Sequence, residues 1–161
     1  MSYVRKQNSE RLTTFRVLSF VSLGLVFTVI IIGAFLSARG QGLTCQDWPL
    51  CPSGFSLSSE GKYFIEYVHR LIALITAISV YATTFYSVKR FVNARRSATT
   101  TAAAVSIQIV IGMLVVYSEM DPIIVAIHTA VGAIILALSL VTFISTYHVF
   151  TGHHASRPLL K

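Results

Sequence analysis

Glu66, His69 and Arg70, in the stretch EYVHR, set a carboxylate, an imidazole and a guanidinium within little more than one helical turn. A second imidazole, His128, stands in the equally apolar stretch IVAIHTAVGAIILALSL. A buried neutral imidazole is either a ligand for haem iron or another metal, or a hydrogen-bonded interior residue. A carboxylate inside a membrane segment is costly and marks a functional site unless a cation neutralises it. The third candidate is CQDWPLC, which encloses the only tryptophan between the only two cysteines, Cys45 and Cys51. In an oxidising compartment these thiols form a disulfide that staples the loop, or a redox pair that exchanges with a partner thiol. Spacing alone does not separate the two.

The elements that carry these residues are membrane spans. Of 161 residues, 54% are hydrophobic and 12% charged, about half the charged fraction of an ordinary soluble domain. Mean hydropathy is +0.70. No charge falls between Arg16 and Arg39, Arg70 and Lys89, Arg96 and Glu119, or Asp121 and Arg157. A bilayer core takes about 20 apolar residues, which predicts helices over 16–37, 63–88, 99–118 and 122–148 in a single membrane domain, 1–161. The first apolar run exceeds a signal-peptide core of about 7–15 residues and lacks a small-residue cleavage site, so it reads as a span.

Lysine and arginine set the orientation. Arg5, Lys6, Arg11 and Arg16 precede the first span; Lys89, Arg90, Arg95 and Arg96 lie between the second and third; Arg157 and Lys161 follow the fourth. Both termini are therefore expected in the cytoplasm, with the 38–62 loop and its cysteines outside. The net charge of +7 is a topology signal and not a nucleic-acid footprint, because the basic residues are spread over short flanks.

Residues 65–81 align with 124–140 on their histidines, and IGAFL at 32–36 aligns with IGMLV at 111–115, pairing Gly33 with Gly112. This predicts an all-α four-helix bundle made of a duplicated two-helix unit, with a period near 59 residues and pseudo-twofold symmetry. His69 and His128 each lie about six residues inside a span, roughly 9 Å below the outer surface. At matched depth they can face each other across the bundle axis, with small residues, Ala73 and Gly132, one turn further in. Bis-histidine haem ligation is the reading this favours. Glu66 shares a helix face with His69, whereas Val125 stands at the equivalent place before His128. A haem that only carries electrons needs no such carboxylate; a proton-coupled reaction does. The alternative is an ion pair with Arg70 or Lys62. Arg70 itself suits a haem propionate or an interfacial anchor. His148, His153 and His154 fall at or beyond the end of the fourth span and are left outside the site.

These residues resemble the haem A synthase family. GAFLSARGQGLTCQDWPLC at 33–51, Glu66-x-x-His69-Arg70, Gln108 with Gly112, and Pro122 with His128 correspond to its motifs over all four spans. The resemblance implies oxidation of the C8 methyl of haem O to the formyl of haem A, with oxygen from water, for haem–copper terminal oxidases. It implies His69 and His128 as axial ligands, haem b as the electron-transfer haem, and Glu66 as the catalytic group that accepts a proton or stabilises a cationic centre. It also implies a Cys45–Cys51 disulfide near the haem-access face. Longer members have two homologous halves, and this chain resembles the N-terminal one. A homodimer or larger homo-oligomer is therefore expected, in a prokaryotic plasma membrane, with haem O synthase and a thiol or electron-transfer protein as further partners. The family's arginine before the cysteine loop falls on Ser37, with Arg39 two places later. The rival readings are a non-catalytic haem b electron carrier and an outer-side thiol oxidoreductase.

Overall fold

The computed structural model of the protein describes residues 2–43, 48–49 and 61–148. It contains α1 (Ser2–Ala38), α2 (Gly61–Arg90), α3 (Val92–Tyr117) and α4 (Pro122–His148), with no strand among the described residues. Each helix includes a segment long and apolar enough to cross a bilayer: Gln7–Ala38, Phe64–Arg90, Ala94–Tyr117 and Pro122–Tyr147. Helices are required because hydrocarbon offers backbone amides no other partner. The four form a closed ring in which α1 packs on α2, α2 on α3, α3 on α4 and α4 on α1, while the backbones of the diagonal pairs stay apart. The histidine-bearing helices, α2 and α4, are therefore diagonal neighbours.

Two helix ends differ from the expected spans. The helix containing the first span continues through the polar residues before Arg16, since hydropathy reports burial in lipid and not helicity. The basic stretch expected as a loop between spans two and three is instead a tight corner at Phe91, the one residue between α2 and α3. Phe91 adopts φ −131° and ψ 85° and stacks on the fully buried Phe15 at 4.7 Å, with Tyr86 against both. Lys89, Arg90, Arg95 and Arg96 thus sit on helix ends. At the opposite end, Glu119 and Met120 adopt left-handed conformations that turn α3 into α4. Asp121 then caps α4 through Oδ1, which accepts from the amides of Ile123 at 2.8 Å and Ile124 at 3.2 Å. Pro122 follows at the first helical position, where its missing N–H is no loss.

The interior is more polar than the surface. Phe20, Phe27, Ile78, Phe85 and Ile134 are all exposed, as lipid-facing residues are, whereas Ser19, Ser22, Thr83, Thr101, Ser139 and Thr142 are buried. Lipid provides no hydrophobic force between helices, so small side chains and hydroxyls fill the contact. Ser22 Oγ shares hydrogen bonds with Ser79 Oγ at 2.8 Å and Thr83 Oγ1 at 2.9 Å, joining α1 to α2. Thr84 donates to the Ala98 carbonyl at 2.9 Å, joining α2 to α3. Along every helix an apolar layer, Val26, Ala77, Val80, Val105 and Ile135, separates this hydroxyl zone from the histidine end.

Candidate functional site

His69 and His128 are held by the same device on different helix pairs. The ring of His69 rests on Gly33 of α1: a methyl placed there would lie 2.9 Å from its Cε1. The ring of His128 rests on Gly112 of α3, where a methyl would lie 3.2 Å from Cε1. The glycines are therefore places where the Cε1 edge of an imidazole comes up against a backbone, a sharper role than general closeness of helices. Both rings are half-buried and within electrostatic reach of each other across the bundle. Each leaves its Nδ1 buried without a hydrogen-bond partner.

At His128 a second helix partners the other side of the ring. Gln108 of α3 places Nε2 3.3 Å from His128 Nε2 and 3.0 Å from the His128 carbonyl, and its Oε1 is buried without a partner. Gln108 was legible in the sequence only as part of a family motif; a lone carboxamide one turn before a glycine carries no signal for its bond to His128. Gly132 packs where α1, α3 and α4 converge, against Ile30 and Gln108, and Ala73 is half-buried.

Glu66 is buried, at 3% exposure, and accepts from the Arg70 guanidinium at 2.5 Å across one helical turn. The carboxylate and its counter-charge thus lie on either side of His69 along α2. The structure pairs it with Arg70, one of the two cations weighed as its partner; the side chain of the other, Lys62, lies outside the described residues. Arg39 is exposed, with its guanidinium 5.0 Å from the Phe35 ring centre; Ser37 is exposed as well. Gly42 packs on Met120, bringing the segment after α1 against the α3–α4 turn. Cys45, Cys51, His153 and His154 lie outside the described residues, as does the side chain of His148. A small cavity of about 10 Å³, room for about one water, lies in the hydroxyl zone beyond the apolar layer, lined by Ser19, Ser22, Thr83, Thr101, Ser139 and Thr142 among others. It is not part of the histidine site.

Residues 2–140 match the cytochrome oxidase assembly protein family. A heme A synthase of Granulibacter bethesdensis is 28% identical over 79% of this chain and 36% of its own length. A heme A synthase of Flavobacterium psychrophilum is 25% identical over 88% of this chain and 47% of its own. A protoheme IX farnesyltransferase of Halobacterium salinarum is 27% identical over 84% of this chain and 30% of its own. The chain thus spans about a third to a half of the length of the curated relatives it matches. No solved structure matches it. With four spanning helices and a family match that runs from the start of α1 into α4, the chain is a multi-pass membrane protein that belongs to the cytochrome oxidase assembly protein family.

Proposed function

We propose that this chain binds haem between α2 and α4 and takes part in oxidising haem O to haem A. The observation that carries the reading is the pair of half-buried imidazoles on diagonal helices, each with an unpartnered ring nitrogen. Two nitrogen donors of this kind suit haem iron, and the glycines beside them leave room for the Cε1 edge of each ring. The names of the relatives support a porphyrin: heme A in one case, protoheme IX in the other. His69 and His128 are the iron ligands in this reading, and the bound iron supplies the electron-accepting centre. Glu66 holds or moves a proton beside the substrate, and Arg70 pairs with its carboxylate. Water as the oxygen source and supply of terminal oxidases belong to the same proposal. By the distribution of basic residues, the Phe91 end of the bundle faces the cytoplasm and the histidine end faces outward.

A second reading, a non-catalytic haem b carrier, is favoured by the Glu66–Arg70 pair, because a neutralised carboxylate needs no catalytic role. Pigment chromatography on protein purified after supply of haem O separates the two. The synthase reading expects haem A or a hydroxylated precursor from the wild type, and haem O alone from Glu66→Gln with haem still bound. Haem b alone in the wild type, or undiminished conversion by Glu66→Gln, refutes it.

A further inference from the structure

The cavity in the hydroxyl zone is lined by hydroxyls that have already spent their protons, with one exception. Ser19 donates to the Phe15 carbonyl, Thr101 to the Ser97 carbonyl and Thr142 to the Leu138 carbonyl, at 2.7–2.9 Å. Thr83 donates to the Ser79 carbonyl at 2.8 Å, so it accepts in its 2.9 Å contact with Ser22. Ser22 has then spent its own proton, which makes Ser79 the donor in the 2.8 Å contact between them. A hydroxyl has one proton and two lone pairs, so each of these lining oxygens keeps a lone pair to offer. Ser139, on α4, is the exception. It is 3% exposed and lines the same cavity, yet its Oγ has no hydrogen-bond partner among the described residues. Its proton is not turned back onto the carbonyl one helical turn earlier, as those of Ser19, Thr101 and Thr142 are.

We propose that this cavity is a binding site for a single water molecule, which accepts from Ser139 and donates to two hydroxyl oxygens of the other helices, tying α4 to them inside the membrane. Size, chemistry and charge agree on that ligand. The volume of about 10 Å³ admits one water and nothing larger. The unused lone pairs call for a donor and the Ser139 proton calls for an acceptor. Water is both, and it takes the two to four polar partners that a buried water needs. No ionisable side chain is among the described residues that line the cavity, so a cation there would be buried without a counter-charge. Lipid gives the helices no hydrophobic reason to close on one another, and a water shared between them supplies polar contacts that the short hydroxyl side chains do not make directly. The apolar layer of Val26, Ala77, Val80, Val105 and Ile135 lies between this cavity and the histidines, so water binding here does not depend on haem binding there.

Two measurements on the whole chain test it. In a high-resolution crystal structure of the wild type grown from lipid, one water oxygen should lie about 2.5–3.0 Å from Ser139 Oγ and from hydroxyl oxygens of at least two helices. Ser139 turned onto the Ile135 carbonyl, or no density in the cavity, overturns the proposal. The second measurement is the sign of the Ser139→Ala effect on unfolding in mixed detergent, followed by circular dichroism. A hydroxyl that holds a water contributes a hydrogen bond, so its loss should lower the folding equilibrium constant about two- to tenfold. A hydroxyl buried without a partner only costs stability, so an unchanged or raised constant overturns the proposal. Exchange of sodium for choline at constant ionic strength should leave the wild-type midpoint unchanged; a sodium-dependent midpoint that Ser139→Ala abolishes assigns the cavity to a cation and overturns it as well. Hemin uptake by Ser139→Ala should equal that of the wild type, and a loss there would mean that the apolar layer does not separate the two sites.

Discussion

Replacing Gly33 with alanine tests the placement of His69 directly. The new methyl would meet His69 Cε1 at 2.9 Å and its ring nitrogens at 3.6 and 3.7 Å. Cβ atoms essentially never approach so closely, and the ring sits between packed helices with little room to give. Overpacking of this kind costs about 1–3 kcal/mol. Alanine in place of a mid-helix glycine returns about 0.5–1 kcal/mol, so the net loss is about 1–2 kcal/mol. At Gly112 the methyl would meet His128 Cε1 at 3.2 Å, and at Gly24 nothing lies within 4 Å. The expected order of stability is Gly33→Ala below Gly112→Ala, then wild type, with Gly24→Ala equal to or above it. Unfolding followed by helical circular dichroism in mixed detergent measures the order. Hemin titration of the Soret band should show the same ranking at the site, with affinity reduced about 5- to 30-fold for Gly33→Ala. If Gly33→Ala matches Gly24→Ala in stability and binds hemin like wild type, the His69 ring does not lie on Gly33, and the construction of the site is wrong.

Asp121→Ala removes the acceptor for the first amides of α4 and should cost about 1 kcal/mol, whereas Asp121→Asn should retain most of the stability; the same unfolding assay distinguishes them, and equal losses would mean that the carboxylate does not cap. Ser22→Ala and Thr83→Val, combined in a double-mutant cycle, should show a coupling of about 0.6 kcal/mol and no more than about 1.7. Strict additivity would show that the hydroxyl contact between α1 and α2 does not form.

The site was partly legible because each of its ionisable members interrupts an apolar run. A histidine or glutamate in a membrane segment stands out by composition alone, and the spacing from Glu66 to Arg70 allowed the ion pair that the structure contains. Gln108 was harder to find, because its role depends on α4 lying beside α3 and on the His128 carbonyl deciding which amide atom faces the ring. The hydroxyl zone left a readable trace in Ser19–Ser22, Thr83–Ser87 and Ser139–Thr142–Thr146, at three- and four-residue spacings inside apolar runs. Hydropathy averaged over a window erases that pattern; the polar side of a helix in lipid is its inward side.

The amino-acid sequence by itself determined that the chain crosses a membrane on four helices, and it placed the two imidazoles in apolar surroundings. Those properties follow from the length of uncharged runs and the cost of burying ionisable groups in hydrocarbon, which are local. Only the tertiary structure decided which helices are neighbours and which are diagonal, that Gly33 and Gly112 are seats for imidazole rings, and that the Gln108 amide meets His128. Those properties depend on atoms from two helices meeting at about 3 Å. No pattern along one helix determines which face its neighbour presents.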